Sequence, residues 1–175
     1  MHDSQTYRQG DGTMILELSD KAICDEMMAL TALRCVVRNA EGCSSQVLIT
    51  ADQLPGLRNM VRMMFAETVM ELHALVDDCS MDDEDRDLNQ PYDNSADKLR
   101  LKVELRGEWP SGKALAIKRQ WEHIVAAKVL EAIATDKDGA FARNLRAQWT
   151  GAEEALHSLA GSVDNRPGTI EGRWW

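Results

Sequence analysis

The four histidines, His2, His73, His123 and His157, lie far apart in the sequence and none belongs to a metal-binding or catalytic motif. HExxH, which would set two imidazoles on one helix face for zinc, does not occur. Neither do GxSxG for a nucleophile elbow, GxxxxGK[ST] for phosphate, or GxGxxG for a dinucleotide. Glu122 beside His123 has the residue types of an acid–base pair, yet adjacent helical residues point about 100° apart and do not face each other. The acidic stretch comes closer to a calcium loop, because Asp83, Asp85 and Asp87 fit the first three ligand positions of an EF-hand. Leu88 then stands where the turn needs Gly, and Asn94 where the bidentate Glu belongs. Asp136-Lys137-Asp138-Gly139 fails the same comparison. Cys24, Cys35, Cys43 and Cys79 form no CxxC, and on one helix Cys24 and Cys35 would sit about 16 Å apart, beyond disulfide reach. Free thiols are expected, with no catalytic, metal or cofactor-binding residue. The chemistry left to this chain is that of surfaces.

Its charge is localised. Of the net −9, residues 77–97 carry −8, from nine acidic residues and one arginine. A solvated acidic loop is expected there, since like charges repel and stay in water. Such a surface does not suit a nucleic-acid reader, whose affinity comes from Lys and Arg; polyanions would slide past it. No apolar run approaches the roughly 20 residues that cross a bilayer, and 175 residues with 44% hydrophobic content suffice for one packed domain.

The elements that build this domain follow from periodicity. Ser19 is a candidate N-cap for a helix with Ile23, Met27, Leu30, Leu33 and Val37 on its core face, stopped by Gly42. Thr50 and Gln53 have capping-box spacing before a second helix, expected to become regular near Leu57. Its stripe is Leu57, Val61, Met64, Phe65, Thr68, Leu72 and Leu75. Leu99, Leu101, Val103 and Leu105 alternate with charged residues, as in a half-buried strand. The best partner is Met14 to Leu18, with Val47 to Ile49 a weaker third. After Trp109-Pro110-Ser111, a helix entry, Leu115, Ile117, Trp121, Ile124, Val125, Val129 and Ile133 give an apolar face broader than one hairpin partner covers. A last helix carries Phe141, Leu145, Trp149, Ala152, Leu156 and Leu159 and ends near Gly161. The expected fold is mainly α, two helical hairpins of about four main helices clasped by a short antiparallel β element. It divides into a flexible N-terminus (1–13), a single helical domain (14–161) with the acidic loop 77–97, and an extended C-terminal arm (162–175). Within the arm, Ile170, Arg173, Trp174 and Trp175 are the candidate partner-binding residues, because Trp and Arg dominate interface anchors.

The run LRLKVELRGEWPSGKALAIKRQWEHIVAAKVLEAI, with its following amphipathic helix and the earlier pair introduced by MILELSDKAICDEM, resembles a head–tail connector (adaptor) subunit of tailed bacteriophages or prophages. The resemblance spans roughly residues 14 to 160 and rests on helix order, the strand before Trp109-Pro110 and the placement of Trp121. It implies a non-enzymatic virion protein that assembles in the host cytoplasm into a homo-oligomeric ring, commonly twelvefold. The ring would bind the portal protein, let double-stranded DNA pass, and dock a neck, stopper or tail protein, with no membrane partner. Two other classes fit the residues: a small helical protein-binding adaptor or regulator with no viral role, and an enzyme assembled from scattered groups such as Glu122, His123 and His157.

Overall fold

Met14, Leu16 and Leu18 alternate with less apolar neighbours, and alternation is what a sheet with one buried face selects. In the computed structural model, which describes residues 7–8, 14–41, 47–83, 99–105 and 113–164, this stretch is strand β2 (Met14–Ser19), following a two-residue strand β1 (Tyr7–Arg8). Met14, Leu16 and Leu18 are buried and their neighbours half-buried, as the pattern requires. Strand β3 is Val76–Asp83 and β4 is Leu99–Leu105. The sheet order is β1-β2-β4-β3, antiparallel throughout, with Leu16 opposite Val103 and Leu18 opposite Leu101. The expected clasp of the chain's start to its middle is therefore present.

The sheet departs from two expectations about loops. The segment expected to be flexible up to residue 13 contributes Tyr7 and Arg8 to the sheet, covering an edge that β2 would otherwise leave unpaired. The acidic loop begins later than residue 77, because Val76–Asp83 pairs with β4. A bulge between Val76 and Asp78 sets Cys79 opposite Val103 and Met81 opposite Leu101, so the apolar residues of β3 are spaced three and then two apart. That irregular spacing hides the two-residue period. Val47–Ile49 forms no strand. It lies instead along the first helix, where the Ile49 N–H donates to Thr31 Oγ1 at 3.2 Å.

Helix α1 (Asp20–Ala40) starts at Ser19, whose Oγ accepts from the Ala22 N–H. A 3-10 turn (Ala51–Gln53) precedes α2 (Leu54–Glu71), and Gln53 Oε1 accepts from the Thr50 N–H at 3.3 Å, the reciprocal half of a capping box. The helix is regular from Leu54 rather than Leu57, since Pro is compatible with a first turn whose N–H groups have no intrahelical acceptor. Helix α3 (Ala114–Ala134) and α4 (Gly139–Asp164) form the expected hairpin about Thr135 to Asp138. Helix α4 continues through Gly161 to Asp164, so the arm expected from residue 162 begins at least three residues later. One Gly costs a helix interior only about 1 kcal/mol, and Leu156 and Leu159 still pack against the core behind it.

Helix α3 sits at the centre. It packs against α4, α1, α2 and β2, and its buried residues point in every direction: Ile117, Trp121, Ile124, Val125, Ala126, Ala127, Val129, Leu130 and Ala134. The broad apolar face is thus used up within the chain. Leu115, expected in the core, is exposed at the helix entrance. Val61, Phe65, Thr68, Leu72 and Leu75 bury the expected face of the second helical region, and Phe141, Leu145, Ala152 and Leu156 that of α4. Leu16→Ala, which truncates a fully buried side chain between β2 and the helices, is expected to lower stability by about 2–5 kcal/mol in urea unfolding; an unchanged midpoint would show that the sheet is not part of the core.

Candidate functional site

Between Trp121 and Leu130 helix α3 is buried on nearly every side, so the charges it carries inward must be paired. Lys128 is buried between Glu71 of α2 and Glu153 of α4, with Glu153 Oε1 at 2.9 Å. Its ammonium also stands 4.5 Å from the centroid of the Trp149 ring. Trp149 in turn donates from Nε1 to Glu131 Oε2 at 2.6 Å, and Arg146 binds the other oxygen of Glu131. Burial pushes the Glu153 carboxyl up, and although Lys128 opposes this, the neighbouring Glu71 adds to the rise. One cation held between two carboxylates ties three helices together.

The lower end of the bundle is held in the same manner. The Ser19 N–H donates to Glu122 Oε1 at 3.4 Å, and Lys118 lies 3.8 Å from the same oxygen. Burial raises the Glu122 carboxyl despite Lys118. Asp20, fully buried at the first turn of α1, meets Arg58 Nε of α2 at 2.6 Å. His123 Nδ1 is 2.8 Å from Glu26. Glu122 and His123 therefore turn to different partners, and His157 is exposed on α4, so the scattered acid–base set is not brought together. His73 rests against the Met70 carbonyl at the end of α2, and His2 lies outside the described residues. Cys24 and Cys35 are free thiols, Cys79 lies on β3, and Cys43 lies outside the described residues. Burial, with Asp20 nearby, pushes the Cys24 thiol up to about 11, leaving it a protonated apolar side chain. Among the described residues no group of three His, Cys, Asp or Glu could hold a metal ion, and no helix is long and apolar enough to cross a membrane.

What remains is an apolar surface. Ile23 and Met27 are buried as expected and Leu30 is half-buried, but Leu33 and Val37 are 63% and 41% exposed, and Val36 is 66% exposed. No residue of α1 beyond Thr31 is buried. With Ala29, Ala32 and Ala40, also exposed, these three make a stripe at i, i+3, i+4, i+7, i+8 and i+11, free of charge along its length. The stripe is the side of α1 turned away from the core: at about 100° per residue Ala29, Leu33, Val36 and Ala40 fall nearly opposite the buried row Cys24, Met27 and Thr31. An ion pair keeps this half in place: Arg34 donates to both Asp138 oxygens, from Nε at 3.1 Å and Nη2 at 3.3 Å. Asp138 also caps α4 by accepting from the Phe141 N–H at 3.1 Å. Burial raises the Asp138 carboxyl, but the Phe141 N–H and Arg34 outweigh it, and the net direction is down. The stripe was hidden in the sequence because its Leu33 and Val37 continue the spacing of the core face. Exposed Met63 and Met70, one heptad apart on α2, form a smaller apolar line. Ile170, Arg173, Trp174 and Trp175, the candidate anchors, lie outside the described residues.

Comparison with protein-family models, curated proteins and solved structures finds no match for this chain.

Lys128→Met leaves Glu71 and Glu153 without their cation. The expected loss is about 3 kcal/mol, the lower part of the range for breaking a buried pair, because Glu71 is half exposed. The pH dependence has a definite sign. A carboxyl raised in the folded state favours the fold at low pH, and that contribution is lost as pH climbs from its ordinary value through the raised one. The defect of Lys128→Met should therefore shrink on acidification through the window set by Glu153, and adding Glu153→Gln should recover part of it at neutral pH. Equal stability of parent and Lys128→Met by denaturant titration would contradict the arrangement.

Proposed function

We propose that this chain is a structural subunit of the connector joining head and tail in a tailed bacteriophage or prophage. It forms a ring against the portal protein, passes double-stranded DNA through the ring, and offers a docking surface to a neck, stopper or tail protein. The observation that carries the reading is the exposed apolar stripe of α1 in a chain whose central helix is already enclosed: this surface calls for a partner rather than a substrate. Two further features support it. The resemblance over residues 14 to 160 joins a strand, a helix entry and a helical hairpin, and strand β4, helix α3 and helix α4 occur in that order. The edge strand β3 and the run after it concentrate aspartates, which suits a conduit that polyanionic DNA crosses without being held.

Electron microscopy of the purified chain mixed with a candidate portal is the direct test. Closed rings, twelvefold by the resemblance, seated on the portal are the expected result. A monomer or dimer that ignores the portal would contradict the reading and favour a small helical protein-binding adaptor, whose docking surface would be the same stripe.

A further inference from the structure

We infer that the α1 stripe of one copy, through Leu33, Val36 and Val37, receives Trp174 and Trp175 of a second copy. The inference rests on the reading of this chain as a self-assembling subunit and names the two surfaces that join.

The stripe is fixed at one end of the bundle. Arg34, within it in sequence, holds Asp138 and lies 5.7 Å from the centroid of the Phe141 ring, so the stripe stands where α4 begins. Helix α4 then leads away. From Phe141 to Asp164 is 23 residues, about 35 Å at about 1.5 Å per residue. Residues 165–174 number ten and could span at most about 33–36 Å fully stretched. The chain's own Trp174 would thus regain the near edge of its stripe only with no slack, and Val36 and Val37 lie further on. In a second copy set head to tail, the end of α4 stands beside the neighbouring stripe and the same ten residues have length to spare.

The chemistry matches on both sides. Leu33, Val36 and Val37 offer branched aliphatic surface, and an indole is the side chain that buries most area on such a surface. The donor follows the far end of α4 in sequence, whereas the acceptor stripe lies by its near end. Such an interface is heterologous, and repetition of it gives a closed ring or an open chain.

The test uses the full chain and two variants. Val36→Glu puts a charge on the stripe at an exposed position, with Leu33→Lys as a second stripe variant should the first fail to fold by circular dichroism. Trp174→Ala/Trp175→Ala removes the donor. By light scattering after size exclusion, the parent is expected to be multimeric and each variant alone to have the mass of one chain. Mixed in equal amounts, the stripe variant and the tryptophan variant should form a two-chain complex and nothing larger, because the pair retains one intact stripe facing one intact donor. Variants that assemble like the parent, or a mixture that stays at one chain, would overturn the inference. The connector reading is separable: pairing of the two variants with no binding of the parent to portal sinks the connector and keeps the inference, whereas portal-bound rings that ignore both substitutions do the reverse.

Discussion

Enclosure of α3 governs this structure. Between Trp121 and Leu130 it is buried on nearly every side, and its surroundings must approach closely where Ala126 and Ala127 leave room and stand off where Trp121 fills it. It also carries Lys118, Glu122 and Lys128 into the interior. Each buried ion costs several kcal/mol unless paired, so these charges select which side chains of β2's end, α2 and α4 come to lie beside them. Packing sets the distances between elements, and the ion pairs set their register along the axis. Glu122 takes the Ser19 N–H at the entry of α1, and Lys128 gathers Glu71 and Glu153.

Because the middle of α3 is closed, a docking surface has to lie on the elements around it. Helix α1 turns one face, with Ile23, Met27 and Thr31, to the core and an apolar one, from Ala29 to Ala40, to solvent. The result is an apolar stripe held rigidly by Arg34 and Asp138 rather than by burial. A stiff helix face suits a docking surface, since little conformational entropy is lost when it is covered. The apolar face of α3, broader than one hairpin partner covers, reflects four neighbours within one chain.

Much of the fold was legible because it follows from period. Leu99 to Leu105 and Met14 to Leu18 alternate cleanly, and they pair; Val61, Phe65 and Leu72 repeat at helical spacing, and they are buried. Strand β3 was not legible, since the bulge after Val76 breaks the alternation and its aspartates imitate a loop. Three- and four-residue spacing suggests the core face for Leu33 and Val37, but at about 100° per residue the row Ile23, Met27, Leu30, Leu33 and Val37 drifts away from the buried row Ile23, Cys24, Met27 and Thr31. The interhelical ion pairs were invisible for a different reason: Glu71, Lys128 and Glu153 are far apart in sequence and no local pattern joins them. One signal was present, a lysine within AAKVLEAI, a stretch with too little polar surface to leave it in water.

Hydrogen–deuterium exchange of the full chain at a dilute and an assembling concentration tests the enclosure of α3 most directly. Amides of residues 118–134 should be the slowest at both concentrations and unchanged between them, while residues 32–40 gain protection as copies associate. Protection that rises along α3 with concentration, leaving residues 32–40 unaffected, would mean that α3 is the surface between subunits and would contradict the account.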